Sequence, residues 1–407
     1  MKKILLGTTA LIGAATLLAG AANAEDPKVT VGGFSTFEAG YVKSDYDSGE
    51  RSVSFRNDNE IHFNIAGKTD AGLGYGAEID LEADINGSSA ATNGSTNQGI
   101  SAHRTYGWLQ GDQWGHFEFG SNDGAARTLK VDASNIARAT GGIDGDWNTF
   151  ADVNVAATST TTGGSVGTFA GTTPAGVAAP RSFITAPRLP VENGPATTFY
   201  SDTWGNDDKV TYYTPRFQGF QLGVSFAPSL ADRGQTDTRY ADLGFDASNI
   251  YSGGLNYETQ YEGVGIAAAA TGEAGKADAS TGNNLEAWNA GLKLSYLGFS
   301  AAGSYGDWEN SFAVSGTKAD YWTAGLAYET GPLGASVTYL NSEDKPTGQD
   351  NKFQDISVGV DYKLAPGLTP FVEYTYYDIN PSGGTAASGN VSSNKGDVVI
   401  IGSQLSF

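Results

Sequence analysis

One stretch of this chain alternates between apolar and acidic or glycine residues with a period of two. From Leu73 to Ile85 it reads L-G-Y-G-A-E-I-D-L-E-A-D-I, with apolar side chains at every odd position. Side chains alternate between two faces only in a β-strand, because a helix would spread both classes around its axis. The stretch therefore predicts a strand with one apolar face and one face of glycines and carboxylates.

Two kinds of protein use such strands. In a soluble sandwich the apolar face packs on a second sheet, whereas in an outer-membrane barrel it contacts lipid and the acids face a water-filled interior. Strand-like segments recur to the end of the chain, and long polar connections alternate with short turns. Barrels of the outer membrane have this alternation, with short periplasmic turns and long outer loops. The sequence predicts an all-β fold, a 16-stranded antiparallel transmembrane β-barrel.

The chain begins like a secretory signal peptide. Two lysines follow the initiator methionine, and the apolar run Ile4–Ala19 precedes Ala22-Asn23-Ala24, which has the form of a cleavage site. The run is short for a membrane span. We therefore expect residues 1–24 to be a signal peptide and residues 25–407 to be an exported barrel of the bacterial outer membrane.

Charge and composition exclude several functions. The chain has 24 basic and 45 acidic residues and a formal net charge of −21, so nucleic acid is not an expected partner. It has no cysteine, which excludes disulfides and thiolate metal sites. The segment Gly163–Gly167 fits G-x-S-x-G, but it lies in low-complexity sequence without the strand and helix of a nucleophile elbow. We expect no enzymatic activity and no catalytic residue.

Metal ligands are sparse in the sequence. His62, His103 and His116 are scattered and have no paired ligand spacing, so no metal centre and no cofactor are predicted. Asp45-Tyr46-Asp47 and Asp144–Asn148 offer carboxylates for a loosely held calcium ion (Ca2+). Neither has the glycine and distal glutamate of a calcium-binding hand, and solvated turn acids are the simpler interpretation.

A long irregular segment interrupts the strand pattern. Residues from about 121 to 207 have no sustained period, and such a length is too great for an ordinary connection. Within it, Val155–Ala179 is rich in Thr, Gly and Ala. The sequence leaves open whether this segment constricts the barrel, plugs it or protrudes from it.

The sixteen-strand pattern and three segments resemble the general porin family of Gram-negative bacteria, in its alphaproteobacterial form. The chain ends on a strand whose last residue is Phe407, Trp114–Gly124 resembles the hairpin that leads into the third outer loop, and Asp208–Phe220 resembles the strand-turn-strand that follows it. The resemblance implies a homotrimer for passive diffusion of small hydrophilic solutes, with the third loop folded inward. It also implies outer-membrane lipid and lipopolysaccharide as surroundings, and Phe407 as the signal for the barrel-assembly machinery.

The resemblance further implies that the channel narrows where the third loop faces the wall. The inward phase of the strands and the charges of the loop give the candidates; on the fourth strand, His103 competes with Arg104 because the phase there is ambiguous. The candidate pore-lining residues are Arg56, Glu60, His62, Asp80, Glu82, Arg104, Arg127, Asp132, Arg138, Asp144, Asp146 and Asp152.

The resemblance implies a general diffusion porin, and the excess of acidic residues predicts that it has a mild preference for cations. One alternative is a non-conducting or plugged barrel with a structural or adhesive role. A soluble secreted sugar-binding protein is a third hypothesis, which does not explain the alternation of long loops and short turns.

Overall fold

The computed structural model describes residues 25–45, 51–83, 100–151, 184–193, 207–229, 247–277, 283–311, 318–345, 350–380 and 393–407. The expected signal peptide, Asp152 and the segment Gly163–Gly167 lie outside the described residues, as do the last two residues of Asp45-Tyr46-Asp47. Within the described ranges, no helix is both long and apolar enough to cross a membrane.

Sixteen antiparallel strands form one closed barrel in which every strand pairs with its neighbours in chain order, which confirms the predicted fold class. The strands are β1 Glu25–Ser44, β2 Val53–Lys68, β3 Gly74–Glu82, β4 Ser101–Gly111, β5 Gly115–Ser121, β6 Asp208–Tyr213, β7 Phe220–Ser229, β8 Ala247–Tyr261, β9 Val264–Ala277, β10 Leu285–Tyr296, β11 Phe299–Asp307, β12 Lys318–Thr330, β13 Leu333–Lys345, β14 Asn351–Tyr362, β15 Leu368–Asn380 and β16 Asn394–Ser406.

The two ends of the chain close the barrel. Strand β1 pairs with β16 in the register Phe34↔Ser406. Beyond this pair, the backbone N–H of Gly33 donates to the carbonyl of Phe407 at 3.2 Å, and the N–H of Phe407 donates back at 3.1 Å. Closure gives every described strand a hydrogen-bonded neighbour on both sides, which is the condition for a sheet to stand in lipid.

The outer face of the barrel is apolar. Trp288, Leu292, Trp322 and Leu326 are exposed on β10 and β12. Their neighbours in the opposite phase are buried, as Asn289 is, or half-buried, as Lys293 is. In β3, Tyr75 and Ile79 lie in the phase opposite to the buried Asp80 and are half-buried. The row predicted from the alternation therefore points away from the interior in each of these strands.

The connection from β5 to β6 is called the third loop below, and its described residues lie inside the barrel. It contains helix α1 Ala125–Leu129, a first 3₁₀ helix Ala133–Ile136, a second 3₁₀ helix Gly142–Asp144, helix α2 Trp147–Phe150 and helix α3 Pro190–Asn193. Helix α1 packs on β6–β9, the 3₁₀ helices on β11–β15, and α2 on β16 and β1. The loop thus follows the inner wall around most of the barrel.

An apolar cluster attaches the third loop to the inside of the barrel. Trp147 is fully buried and stacks between Phe353 of β14 and Tyr377 of β15, with ring centroids 5.9 and 5.6 Å away. Gly291 of β10 permits the third loop to approach closely, because the carbonyl of Val131 occupies the space that a side chain at position 291 would need. Part of the inner wall is therefore apolar and covered, unlike the acidic inner face of β3.

Candidate functional site

The inner faces of β2 and β3 carry five of the predicted residues. Arg56, Glu60 and His62 project inward from alternate positions of β2, while Asp80 and Glu82 do so from β3. In the register of the two strands, Glu60 is opposite Glu82 and His62 is opposite Asp80. The alternation of a strand is sufficient to bring these charges to one face, and the structure places them there.

A β-bulge at the start of β4 brings two consecutive side chains inward. Asp80 pairs with Arg104, whereas Leu81 pairs with Ala102, so His103 is the extra residue. The Nδ1 atom of His103 lies 3.0 Å from Glu82, and Arg104 lies 3.8 Å from Asp80. The sequence left open whether His103 or Arg104 faces the interior. Because of the bulge, both side chains do. The inward side chains of residues 56–62, 78–82 and 103–104 are called the charged wall below.

Arg56 joins the charged wall to the third loop. Its guanidinium lies 2.5 Å from Asp146, which precedes helix α2. It also lies 3.3 Å from Asp58 and 3.6 Å from Glu38, whose side chain is fully buried. A single arginine among three carboxylates holds the loop against β1 and β2, and the charge-assisted contact with Asp146 is the shortest of the three.

A second ionic contact lies where the third loop begins. Asp123 is 3.1 Å from Arg104 of the wall and 3.2 Å from Arg127 of helix α1. Burial alone would raise the pKa of Asp123, but the two arginines outweigh it and leave this pKa below its ordinary value. Asp123 is therefore ionised at neutral pH.

The remaining loop candidates have different surroundings. Asp132 is fully buried, where its side chain accepts from the backbone N–H of Ser134 at 2.8 Å and caps the first 3₁₀ helix. This is a structural role. The prediction that Asp132 is a water-exposed pore-lining residue is therefore wrong. Asp80 of β3 is also buried, at 1% exposure, so it too is not the water-exposed pore-lining residue that the sequence predicted. Arg138 contacts Glu329 of β12 at 2.5 Å.

Asp144 holds two parts of the third loop together. Arg188, from the returning part of the loop, donates to it from Nε at 3.0 Å and from Nη2 at 2.7 Å. Burial alone would raise the pKa of Asp144, but Arg188 and the nearby Lys130 outweigh it and lower this pKa. Arg188 was missed because it lies far along an irregular segment, where no sequence period indicates its position.

The sequence profile of Gram-negative porins matches residues 7–382. The chain belongs to the Gram-negative porin family. An uncharacterised protein of Rickettsia typhi is 24% identical over 100% of both chains. Outer membrane porin N of Escherichia coli is 30% identical over 152 residues, which are 32% of this porin and 39% of the relative. The family assignment places this porin in the outer membrane.

Solved porin structures have the same fold at low sequence identity. An anion-selective porin from Comamonas acidovorans superposes with a TM-score of 0.58 at 15% identity, over 94% of this porin and 100% of that chain. The trimer form of OmpT from Vibrio cholerae gives a TM-score of 0.54 at 13% identity, over 94% and 100%. At these identities the likeness establishes the barrel alone.

Proposed function

We propose that this porin is a non-catalytic, general diffusion channel for small hydrophilic solutes and ions, with a mild preference for cations. The observation that supports it is the composition of the charged wall. Its fixed cations are Arg56 and Arg104. Its carboxylates outnumber them and are Asp58, Glu60, Glu78, Asp80 and Glu82.

The course of the third loop indicates where the channel runs. Its helices pack on the strands from β6 round to β1. We infer that solutes pass between this loop and the charged wall, with Arg56 and Asp146 at one side of the passage. Charges lining a passage with low-dielectric walls enrich ions of the opposite sign, so an excess of carboxylates favours cations.

Two facts limit the size of this preference. Arg56, Arg104, Arg127 and Arg138 each lie beside a carboxylate, so much of the charge is cancelled locally. In addition, fields in a wet channel are screened over about 8 Å at physiological salt. The preference should therefore be mild and should increase as the salt concentration falls.

Assembly is the second part of the proposal. We propose a homotrimer in outer-membrane lipid and lipopolysaccharide, inserted by the barrel-assembly machinery through the strand that ends at Phe407. One structural neighbour is a porin in its trimer form. The two ends of the barrel pair at Gly33 and Phe407, so insertion depends on the last strand being complete.

The test is the reversal potential of single channels in a planar bilayer across a potassium chloride gradient. The unchanged channel should prefer potassium, and Asp58→Asn with Asp146→Asn should reduce that preference at low salt. The matched control removes the same charge outside the channel, by Asp70→Asn with Asp112→Asn in two short turns.

Three outcomes would contradict this function. Anion preference in the unchanged channel, or equal potassium preference in the two double variants, would remove the charged wall as the source of selectivity. A folded barrel that conducts no current would favour the alternative of a plugged barrel with a structural or adhesive role. The apolar cluster between the third loop and β12–β16 is the observation that keeps this alternative in the test.

A further inference from the structure

Two glutamates of the charged wall are placed directly against each other. Glu60 of β2 and Glu82 of β3 are register partners on the inner face. Like charges in directly opposed positions of neighbouring strands destabilise the sheet. A pair of this kind in the interior of a barrel calls for a cation between or beside the two carboxylates.

The bulge in β4 supplies a nitrogen donor at this point. His103 turns inward, and its Nδ1 atom lies 3.0 Å from Glu82 and 3.4 Å from Glu60. One oxygen of each glutamate and this nitrogen all lie within 4.8 Å of one another. His62 adds a second imidazole, whose Nε2 atom is 2.7 Å from the other oxygen of Glu60. Bulges recur next to functional sites because they redirect a side chain.

Asp80 is an independent sign that a cation belongs here. It lies opposite His62 in the register and is 1% exposed. Its Oδ1 atom has no hydrogen-bond partner among the described residues, while Arg104 lies 3.8 Å from Oδ2. A buried carboxylate oxygen without a partner is costly, and a nearby positive ion would offset that cost.

We propose that Glu60, Glu82 and His103 bind a divalent transition metal ion, with zinc as the ion that fits best. Tetrahedral zinc at its usual bond lengths holds neighbouring ligand atoms roughly 3.3–3.6 Å apart. The contacts from His103 to the two glutamates, 3.0 and 3.4 Å, are close to that spacing. An imidazole among the ligands favours zinc over calcium and magnesium, which prefer oxygen alone.

The binding test uses the folded, full-length barrel in detergent and zinc chloride as the probe, followed by isothermal titration calorimetry. We expect one zinc ion per chain, with magnesium chloride giving no comparable binding. His103→Gln and Glu82→Gln should each weaken zinc binding by more than about tenfold, the loss that even outer-shell changes around a metal can cause. Binding should also weaken in acid, because protons compete for imidazole.

The matched control is His116→Gln on β5. His116 lies 3.0 Å from Glu118 and so forms a similar histidine–carboxylate contact. No group of three candidate ligands includes it in the described part of the chain. His116→Gln should therefore bind zinc like the unchanged protein. Heat-dependent electrophoretic mobility checks that each variant is a folded barrel, and Glu82→Gln tests the site independently if His103→Gln does not fold.

Several results would overturn the site. The first is that the folded barrel binds no zinc. The second is that His103→Gln or Glu82→Gln binds zinc as tightly as the unchanged protein. The third is that magnesium binds as tightly as zinc. A second readout rests on the proposed function: zinc should lower the potassium conductance of the unchanged channel and of His116→Gln, but not of His103→Gln. Zinc binding by a barrel that conducts no current would contradict the channel function and leave the site intact.

Discussion

At the scale of single residues, the outer face of the barrel gives the sharpest test of the membrane setting. Leu292 is 47% exposed on β10, between register partners on β9 and β11. Leu292→Arg should lower the free energy of unfolding by about 2–4 kcal/mol if the residue is near the bilayer midplane, because the charge must enter hydrocarbon. The measurement is urea unfolding of the barrel in lipid vesicles.

Leu297→Arg is the control for this change. Leu297 is 75% exposed in the turn between β10 and β11, where a charge remains in water. Leu297→Arg should lower the free energy of unfolding by about 0–1 kcal/mol, the value for sites near the membrane interface. Equal losses of unfolding free energy in Leu292→Arg and Leu297→Arg would mean that Leu292 does not contact lipid.

At the scale of elements, the strands follow from the sequence more readily than the third loop does. The period of two in the sequence of β2 was enough to predict that Glu60 and His62 lie on the inner face. The bulge at His103 was not predictable, since one extra residue shifts the phase without changing the pattern on either side. The burial of Trp147 was equally hidden, because its partners Phe353 and Tyr377 are on strands far along the chain.

The third loop also provides a prediction about pH. The pKa of Asp144 is lower in the folded protein than in the unfolded chain, owing to Arg188. Its ion pair therefore stabilises the fold above the unfolded aspartate value of about 3.9, and this stabilisation is lost as the pH falls through the lower folded value. Asp144→Asn should lower the melting temperature at pH 5–7, and the difference from the unchanged protein should vanish in stronger acid.

Arg188→Gln supplies the check on this mechanism. It removes the same ion pair from the other side, so its melting temperature should converge on that of the unchanged protein in the same acid range. The double variant should be about as stable as either single one at neutral pH, because both changes remove one interaction. If the melting temperature of Asp144→Asn still differs from that of the unchanged protein in acid, Asp144 stabilises the loop by other contacts.

At the scale of the whole molecule, the closed barrel and the charged wall depend on different features of the sequence. The Comamonas acidovorans porin, which is anion-selective, shares this fold at 15% identity. Closure depends on backbone pairing, which many sequences can provide, whereas the charged wall depends on particular side chains. The sequence therefore predicted the closed barrel fully, but the residues of the charged wall only where strand phase applied.

The last residue of the chain takes part in closing the barrel. Phe407 exchanges both backbone hydrogen bonds with Gly33, and its side chain is 64% exposed on the outside. Deleting it removes the pair that completes the β1–β16 seam and exposes backbone groups at that edge. We expect a large fall in the amount of folded barrel in the outer membrane, measured by heat-dependent electrophoretic mobility.

Phe407→Asp retains the backbone pair, and a similar fall in this variant would assign the effect to the side chain. Phe217→Asp, at another exposed phenylalanine in a short turn, is the control and should assemble nearly normally. Normal yield after deletion would show that neither the seam nor the terminal ring directs assembly.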